Sequence, residues 1–567
     1  MALHAFSHSN VKLHDYEISL GADKALCLKL GYAVVTNSKP AQIVLLCQCL
    51  VKVYQCSSEC RQESFRQIGA TELVPLLAQI WKQQVIRVDD NYGGFEAMLL
   101  STVSVLRVFA KLDAHAKSFL IRYEKGALVA SFLQMISSFY ERGGQSQFSC
   151  ESSPALYLEL FSMMKDLTFR CHALDKKYLW ELHGGILKRV LFCWSGFLVS
   201  STKLAEMVTA ILWNLVLDPE ICIDLLQYNG ETSLDIFQTL TRMLSTTSET
   251  TKSEQPTTKA KRNAISALGN LLATPQNQTV LFQKDTQFQI VPILIQLVEQ
   301  DPDSIIRRRA MRTLRCLASV TTVASKDGKE QSTCCLDVLL ESDIVRFLVN
   351  TIARDGGSQD DENDKDTQIQ ACLTVGSLLE AFWATDWPLL ETALIQRIET
   401  TTDAKLTLAA CKCLLLCVTK SPWRRGPSCF SDMFWKRIDT VVTGCNETHG
   451  CIAKLLLEVA REAQKGSSSP TAAAAAAAAA PNRTSTLACV TVVNTLTSLL
   501  SEFGPDFEDS RDDALEVVLI LKENENNKRP LAEHEGLLTA LVNLCILESG
   551  PKKDLAKQAI LDLVPEL

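Results

Sequence analysis

Between Ala264 and Val298 the chain reads AISALGNLLATPQNQTVLFQKDTQFQIVPILIQLV. It is apolar at helical spacing, then polar, then apolar again. Ala264, Leu268 and Leu271 recur at i, i+4 and i+7, which lines one face of a helix. Ala267 is small enough to let a neighbouring helix approach. The polar break TPQNQ ends that helix, and a short amphipathic helix follows. A further helix opens near IVP, where Pro292 falls in the first turn and forfeits no hydrogen bond.

The same shape returns along the chain. From Leu268, Phe282 stands fourteen residues on and Pro292 twenty-four. Val51, Phe65 and Pro75 keep both offsets, as do Leu541, Leu555 and Pro565. Looser copies begin at Val105, Asp166 and Ile211. A unit of about 40 residues cannot bury its own apolar face, so the units must stack. These units resemble armadillo repeats. ALGNLLATPQNQTVLFQ with IVPILIQLV is similar to that family's third helix, the short helix after it and the second helix of the next repeat. IGATELVPLL from Ile68 resembles its Gly-Ala turn. The resemblance covers most of the chain. HEAT repeats are the near alternative, and the three-helix shape favours armadillo. The expected fold is all-α: a right-handed α-solenoid of stacked armadillo-type helical repeats.

Polar segments interrupt the array. TTSETTKSEQPTT from Thr246, TVASKDGKEQST from Thr322 and the acidic RDGGSQDDENDKD from Arg354 read as loops. The clearest linker is KGSSSPTAAAAAAAAAPNRTS from Lys465, whose Ala run (Ala472 to Ala480) lies between Pro470 and Pro481. An isolated run this short is a marginal helix in water. The expected division is therefore an array over 1–464, a tether over 465–485 and a smaller helical block over 486–567. In this register the closing LVPEL falls early in a second helix.

Composition narrows the functional classes. With 567 residues, 47% apolar and 22% charged, the chain can bury a large core and suits several domains or a repeat array. A net charge of −8 argues against a general nucleic-acid binder. No stretch of about 18 uncharged apolar residues occurs, so no membrane span is expected. The opening MALHAFSHSNVKLHDYEISLG lacks a basic segment followed by an apolar core, so no secretory signal is read there. The 21 cysteines are then expected to be reduced thiols in the cytoplasm or nucleus. The sequons at Asn277, Asn446 and Asn482 are expected to be unused.

Candidate chemistry is sparse. Cys47 with Cys49, Cys56 with Cys60, and Cys411, Cys413 and Cys417 have short spacings, but they sit in apolar helical runs, where Cys acts as a small hydrophobe. No metal site is expected. There is no H-E-x-x-H, no G-x-x-x-x-G-K and no G-x-S-x-G. His183 and His449 stand beside Gly and read as turn residues. Neither an enzyme nor a cofactor is expected.

Candidate binding residues are richer. Asn214, Asn270, Asn494 and Asn543 each follow a repeat anchor by two residues. The armadillo resemblance implies that such an Asn can face a concave groove and bond the backbone of an extended peptide. The competing reading is an Asn that satisfies terminal carbonyls or tolerates a turn. Nuclear-import adaptors of that family carry a Trp four residues earlier. Here those positions hold Ala210, Ser266, Val490 and Thr539, and Trp213 adjoins Asn214 on another face, so the Lys-caging array is missing from these copies. In DSIIRRRAMRTLRCLASV, aligning Leu314 with Leu268 puts Cys316 at the Asn position. Arg312 and Arg309 then stand four and seven residues before it, on the same helical face. Arg308, Arg312 and Arg315 form a second stripe. The arginines either grip a carboxylate-rich or phosphorylated partner or make a solvated face paired with Asp360 to Asp366. The sequence points to a scaffold or adaptor that engages an extended segment of another protein. Regulation of an enzyme or small GTPase through the same surface, and nucleocytoplasmic transport, stand as alternatives.

Overall fold

A computed structural model describes residues 21–36, 38–55, 58–85, 92–142, 154–195, 202–227, 232–245, 257–274, 290–326, 343–354, 362–381, 387–420, 430–444, 448–467 and 490–566, with Ile18, Asn277 and Leu339. The Ala run of the expected tether, Cys56, Asn446 and Asn482 lie outside the described residues. Among the described residues all regular structure is helical. The chain divides into two compact units, Met1–Ile293 and Leu294–Leu567.

The first unit begins with α1 (Ala22–Val35) and α2 (Pro40–Val53). A continuous helical stretch follows, made of α3 (Ser58–Ser64), a π-helical segment (Phe65–Leu73) and α4 (Val74–Val85). Then come α5 (Tyr92–Ala110), α6 (Ala114–Arg122), α7 (Ala127–Arg142), α8 (Pro154–Thr168), α9 (Ala173–Ser195), α10 (Thr202–Leu215), α11 (Pro219–Gln227), α12 (Thr232–Ser245) and α13 (Thr258–Leu272). Two rows of helices result. In one, α2 packs on α5, α5 on α8, α8 on α10 and α10 on α13. In the other, α4 packs on α7, α7 on α9 and α9 on α12. The first row holds the long third helix of each repeat, where the spacing of Leu268 and its copies places it. The short helix between rows is seen at α3, α6 and α11, and in the third repeat it fuses with its successor in α9.

Local sequence explains the starts and breaks. Thr257 caps α13, its Oγ1 accepting from Ala260 N at 3.2 Å, and Ala264, Leu268 and Leu271 are buried beneath it. Each such leucine stabilises the stack by roughly 1.5–3 kcal/mol on full burial. Asp113 caps α6 through Ala116 N at 2.9 Å. The expected Gly-Ala turn at Gly69 does not form. Val74 N–H instead donates to the Gly69 carbonyl five residues back, in the wide π register. Pro75 has no N–H to return to Thr71, so the ordinary i+4 ladder is interrupted there, and the wider turn carries the helix through. The next repeat does turn at its glycine. Glu124, Lys125 and Gly126 all have positive φ, +85° at Gly126.

The second unit contains most of α14 (Ile290–Gln300), then α15 (Ser304–Lys326), α16 (Ile344–Ala353), α17 (Glu362–Ala381), α18 (Trp387–Thr400), α19 (Ala404–Lys420), α20 (Asp432–Gly444), α21 (His449–Ser467), α22 (Val490–Ser501), α23 (Glu508–Lys522), α24 (Glu525–Ala532), α25 (Glu535–Leu547) and α26 (Pro551–Leu563). The long-helix row runs α15, α17, α19, α21, α23, α26, each packed on the next. The second row runs α16, α18, α20, α22, α25. Among the described residues a short intervening helix is seen here only at α24. Each unit is thus an all-α solenoid of stacked helical repeats.

Three boundaries differ from the sequence reading. Glu362 to Asp366, expected in a loop, form the first turn of α17, where Glu362 and Asp364 favour a helix N-terminus. Thr322 to Lys326 close α15 rather than open a loop. Lys465 to Ser467 are the end of α21, and α22 and α23 pack directly on α20 and α21, so the C-terminal helices continue the same stack. No helix among the described residues is long and apolar enough to cross a membrane.

Candidate protein-binding face

In each long helix one stripe stays open to solvent, because two sides meet neighbours in the row and a third meets the second row. Asn214 and Asn270 belong to this row in the first unit, on α10 and α13. Their surroundings differ. Asn214 is buried, and its Nδ2 donates to Thr168 Oγ1 at 3.2 Å and the Lys165 carbonyl at 3.4 Å, both on α8. It ties one long helix to the next, and both Nδ2 protons are used within the stack. Asn270 is half-buried, and its Nδ2 has no hydrogen-bond partner among the described residues.

Asn494 and Asn543 lie elsewhere. Both sit in the second unit's other row, on α22 and α25, so the equal offsets from Leu541 span a different pair of helices from those at Leu268. Asn494 Oδ1 lies 2.7 Å from His534 Nε2, while His534 Nδ1 caps α25 by accepting from Leu537 N at 3.1 Å. Asn543 is exposed. The four asparagines therefore do not form one ladder.

The arginines are on α15, in the long-helix row of the second unit, with Leu314 buried behind them as the register requires. Asp303 caps this helix, its Oδ1 accepting from Ile305 N at 2.8 Å and Ile306 N at 3.1 Å. Part of the cluster is spent internally. Arg307 is bound to Asp364, Arg308 Nη1 lies 3.6 Å from Asp366, and Arg315 donates to Gln370 at 3.1 Å. Arg309 is half-buried on the same stripe. Arg312 is exposed and has no ion pair among the described residues. The paired-face reading thus holds for Arg308, and Arg312 stands outside it.

Two further helices of the row present cations that the sequence reading missed. Lys412 on α19 and Lys454 on α21 are exposed, with no ion pair among the described residues. Both act on the Cys451 thiol, where burial outweighs them and raises the pKa to about 11. Lys405 is exposed about two turns before Lys412 on the same helix. The signal was available: α19 has lysines seven residues apart and no acidic residue anywhere in it.

The other chemical candidates are packed. Cys47, Cys411, Cys413 and Cys417 are buried within helices. Burial pushes the Cys47 thiol up to about 12 and those of Cys411 and Cys413 well above the ordinary value, so they sit as neutral thiols. Neither histidine is in a turn. His183 lies within α9, buried and held below its ordinary pKa by that burial. His449 opens α21, with Nε2 2.9 Å from the Val442 carbonyl. Asn277, one of the sequons, is 1% exposed and donates to the Cys222 and Leu271 carbonyls at 3.1 Å each.

No family model matches the chain, and no curated protein sequence matches it. Solved structures do resemble it. An engineered protein shares 12% identity at a TM-score of 0.49, over 96% of this chain and 98% of that one. A structure from work on a phosphorylation switch controlling the interaction between cadherin and β-catenin shares 16% at 0.48, over 92% and 88%. A designed armadillo repeat protein shares 14% at 0.37, over 53% and 99%. The fold itself is defined by the two rows of helix contacts.

Proposed function

We propose that the chain is a protein-binding scaffold or adaptor, and that an extended acidic or phosphorylated segment of its partner lies along the open side of the second unit's long-helix row. The observation that carries this reading is the set Arg312, Lys412 and Lys454. Three exposed cations stand on three helices of one row, and none has an ion pair among the described residues. Stacked helices lie about 8–10 Å apart, so Lys412 and Lys454 on adjacent helices, with Arg312 two helices along the row from Lys412, suit an extended chain that crosses the row. Arg312 can hold a carboxylate or phosphate through two parallel N–H bonds, and the lysines act as point charges.

The test is affinity capture of partners by the full chain from its own cells, with the captured segment mapped by crosslinking. Crosslinks centred on α15, α19 and α21 to an acidic or phosphorylated stretch are expected. A partner bound only through the second row would overturn the reading.

A further inference from the structure

A cavity of about 190 Å³ lies where the C-terminal ends of α14 and α16 meet the first turns of α15 and α17. Among the described residues Val298 is the one apolar side chain in its lining, while the threonine methyls and the aliphatic stems of Glu299, Arg354 and Gln368 supply further apolar surface. Thr351, Thr367 and Gln368 contribute to it and are 3%, 4% and 5% exposed, so they form a buried polar floor. Arg307 and Asp364 form a wall. Glu299 and Arg354 are exposed and stand at the rim.

The hydrogen bonds already made around the cavity fix what it can still offer. Arg307 is fully spent. Its Nε donates to Asp364 Oδ1 at 3.0 Å, and its Nη2 to the two Asp364 oxygens at 2.6 and 2.8 Å. Its Nη1 donates to the Asp301 and Pro302 carbonyls at 2.9 and 3.1 Å. All its N–H groups are used and its charge is met. Thr351 and Thr367 give their hydroxyl protons to the Phe347 and Asn363 carbonyls, at 2.9 and 2.8 Å, so their oxygens remain as acceptors. Gln368 donates to the Arg354 carbonyl at 2.6 Å and accepts from Arg397. The rim groups are unspent. Neither the Glu299 carboxylate nor the Arg354 guanidinium has an ion pair or side-chain hydrogen bond among the described residues.

We propose that this cavity binds a compact zwitterion of the α-amino-acid class. The ammonium is received by Glu299 and the Thr351 and Thr367 oxygens, and the carboxylate by the fork of Arg354. A lone cation would meet Arg354 uncompensated, and a lone anion would meet Glu299 and a floor of acceptors. An apolar ligand would leave that floor unpaired, at a cost of desolvation. With Val298 the one apolar side chain among the described lining residues, small or polar side chains fit best. This site is separate from the cation row and does not rest on the scaffold reading.

Isothermal titration of the full chain with glycine, alanine and serine tests it, with N-acetylglycine and glycine methyl ester as controls. Free amino acids should give saturable heat, and each blocked form should bind at least about tenfold more weakly. Glu299→Gln and Arg354→Gln should each weaken glycine by a similar factor without changing the melting temperature. Should either charge variant unfold, Thr351→Val removes a floor acceptor while keeping shape and charge, and is expected to weaken glycine too. No saturable heat from any free amino acid, equal heat from the blocked forms, or undiminished binding in the folded variants would overturn the proposal.

Discussion

Replacing Asn214 and Asn270 separately by Ala should have opposite consequences, although the two asparagines are equivalent in the repeat. Asn214→Ala removes two bonds of 3.2 and 3.4 Å that fasten α10 to α8. The groups left behind are not stranded. Thr168 Oγ1 also donates to the Met164 carbonyl at 3.0 Å, and the Lys165 carbonyl also accepts from Phe169 N at 3.0 Å. The cost is therefore the bonds themselves and a small void, about 1–2 kcal/mol. Asn270→Ala removes a buried Nδ2 that has no partner among the described residues. Leaving such a donor unmade costs roughly 1–3 kcal/mol, so its deletion should be neutral or mildly stabilising after the lost packing is counted. Urea unfolding of the full chain, followed by far-ultraviolet circular dichroism, reads both as shifts of midpoint at constant slope. Asn214→Ala should move the midpoint down and Asn270→Ala should not. An unchanged midpoint for Asn214→Ala, or an equal fall for both, would refute the reading of one asparagine as a made bond between helices and the other as an unmet buried donor.

Other consequences follow from single sites. Gly126→Ala should destabilise by about 2 kcal/mol or more, because φ is +85° and an added Cβ would stand 2.5 Å from Leu182 and 2.8 Å from His183 Nε2. A melting temperature equal to the parent's would contradict that. Leu268→Ala should cost about 2–5 kcal/mol, as for other large-to-small changes in a fully packed core, read by the same urea titration. Burial raises the thiols of Cys47, Cys222 and Cys372 to about 12 from an ordinary 9.0. The unfolded chain therefore loses these protons first. Stability from these thiols is full below about pH 9 and drains away as pH rises toward 12. A triple Cys→Ala variant should show a shallower alkaline loss in thermal melts than the parent, and an identical slope would refute the burial argument.

Much of the fold was legible because a stacked helix must bury every third or fourth residue, and Leu268, Leu314 and Val105 all fall at such positions. What periodicity could not settle was the row. A helix of either row carries apolar residues at the same spacing and tolerates a polar residue near its end. Asn494 and Asn543 therefore passed for long-helix residues until the contacts of α22 and α25 placed them in the other row. The Gly69 turn was misread for a related reason. The residues Ile-Gly-Ala suit a turn, but Pro75 interrupts the hydrogen-bond ladder in a way that a π segment absorbs. In the arginine cluster, sequence identified the helix and the face. It could not tell which side chains would be taken by Asp364, Asp366 and Gln370, since those partners lie more than fifty residues away. Lys412 and Lys454 escaped notice because each is alone on its turn. They become a set only when α19 packs on α21.

The central claim is that the unpaired cations of the second unit's long helices hold an acidic segment. The most direct measurement is a fluorescence-anisotropy titration of the captured partner segment against the parent chain and an Arg312→Glu, Lys412→Glu, Lys454→Glu variant, at low and physiological salt. The variant should bind about 10- to 100-fold more weakly, or roughly 1.4–2.8 kcal/mol. The parent's affinity should fall with added salt far more than the variant's. Melting should be nearly unchanged, since exposed substitutions usually stay within about 0.5 kcal/mol. Equal affinity in a folded variant, with the same salt dependence as the parent, would contradict the claim.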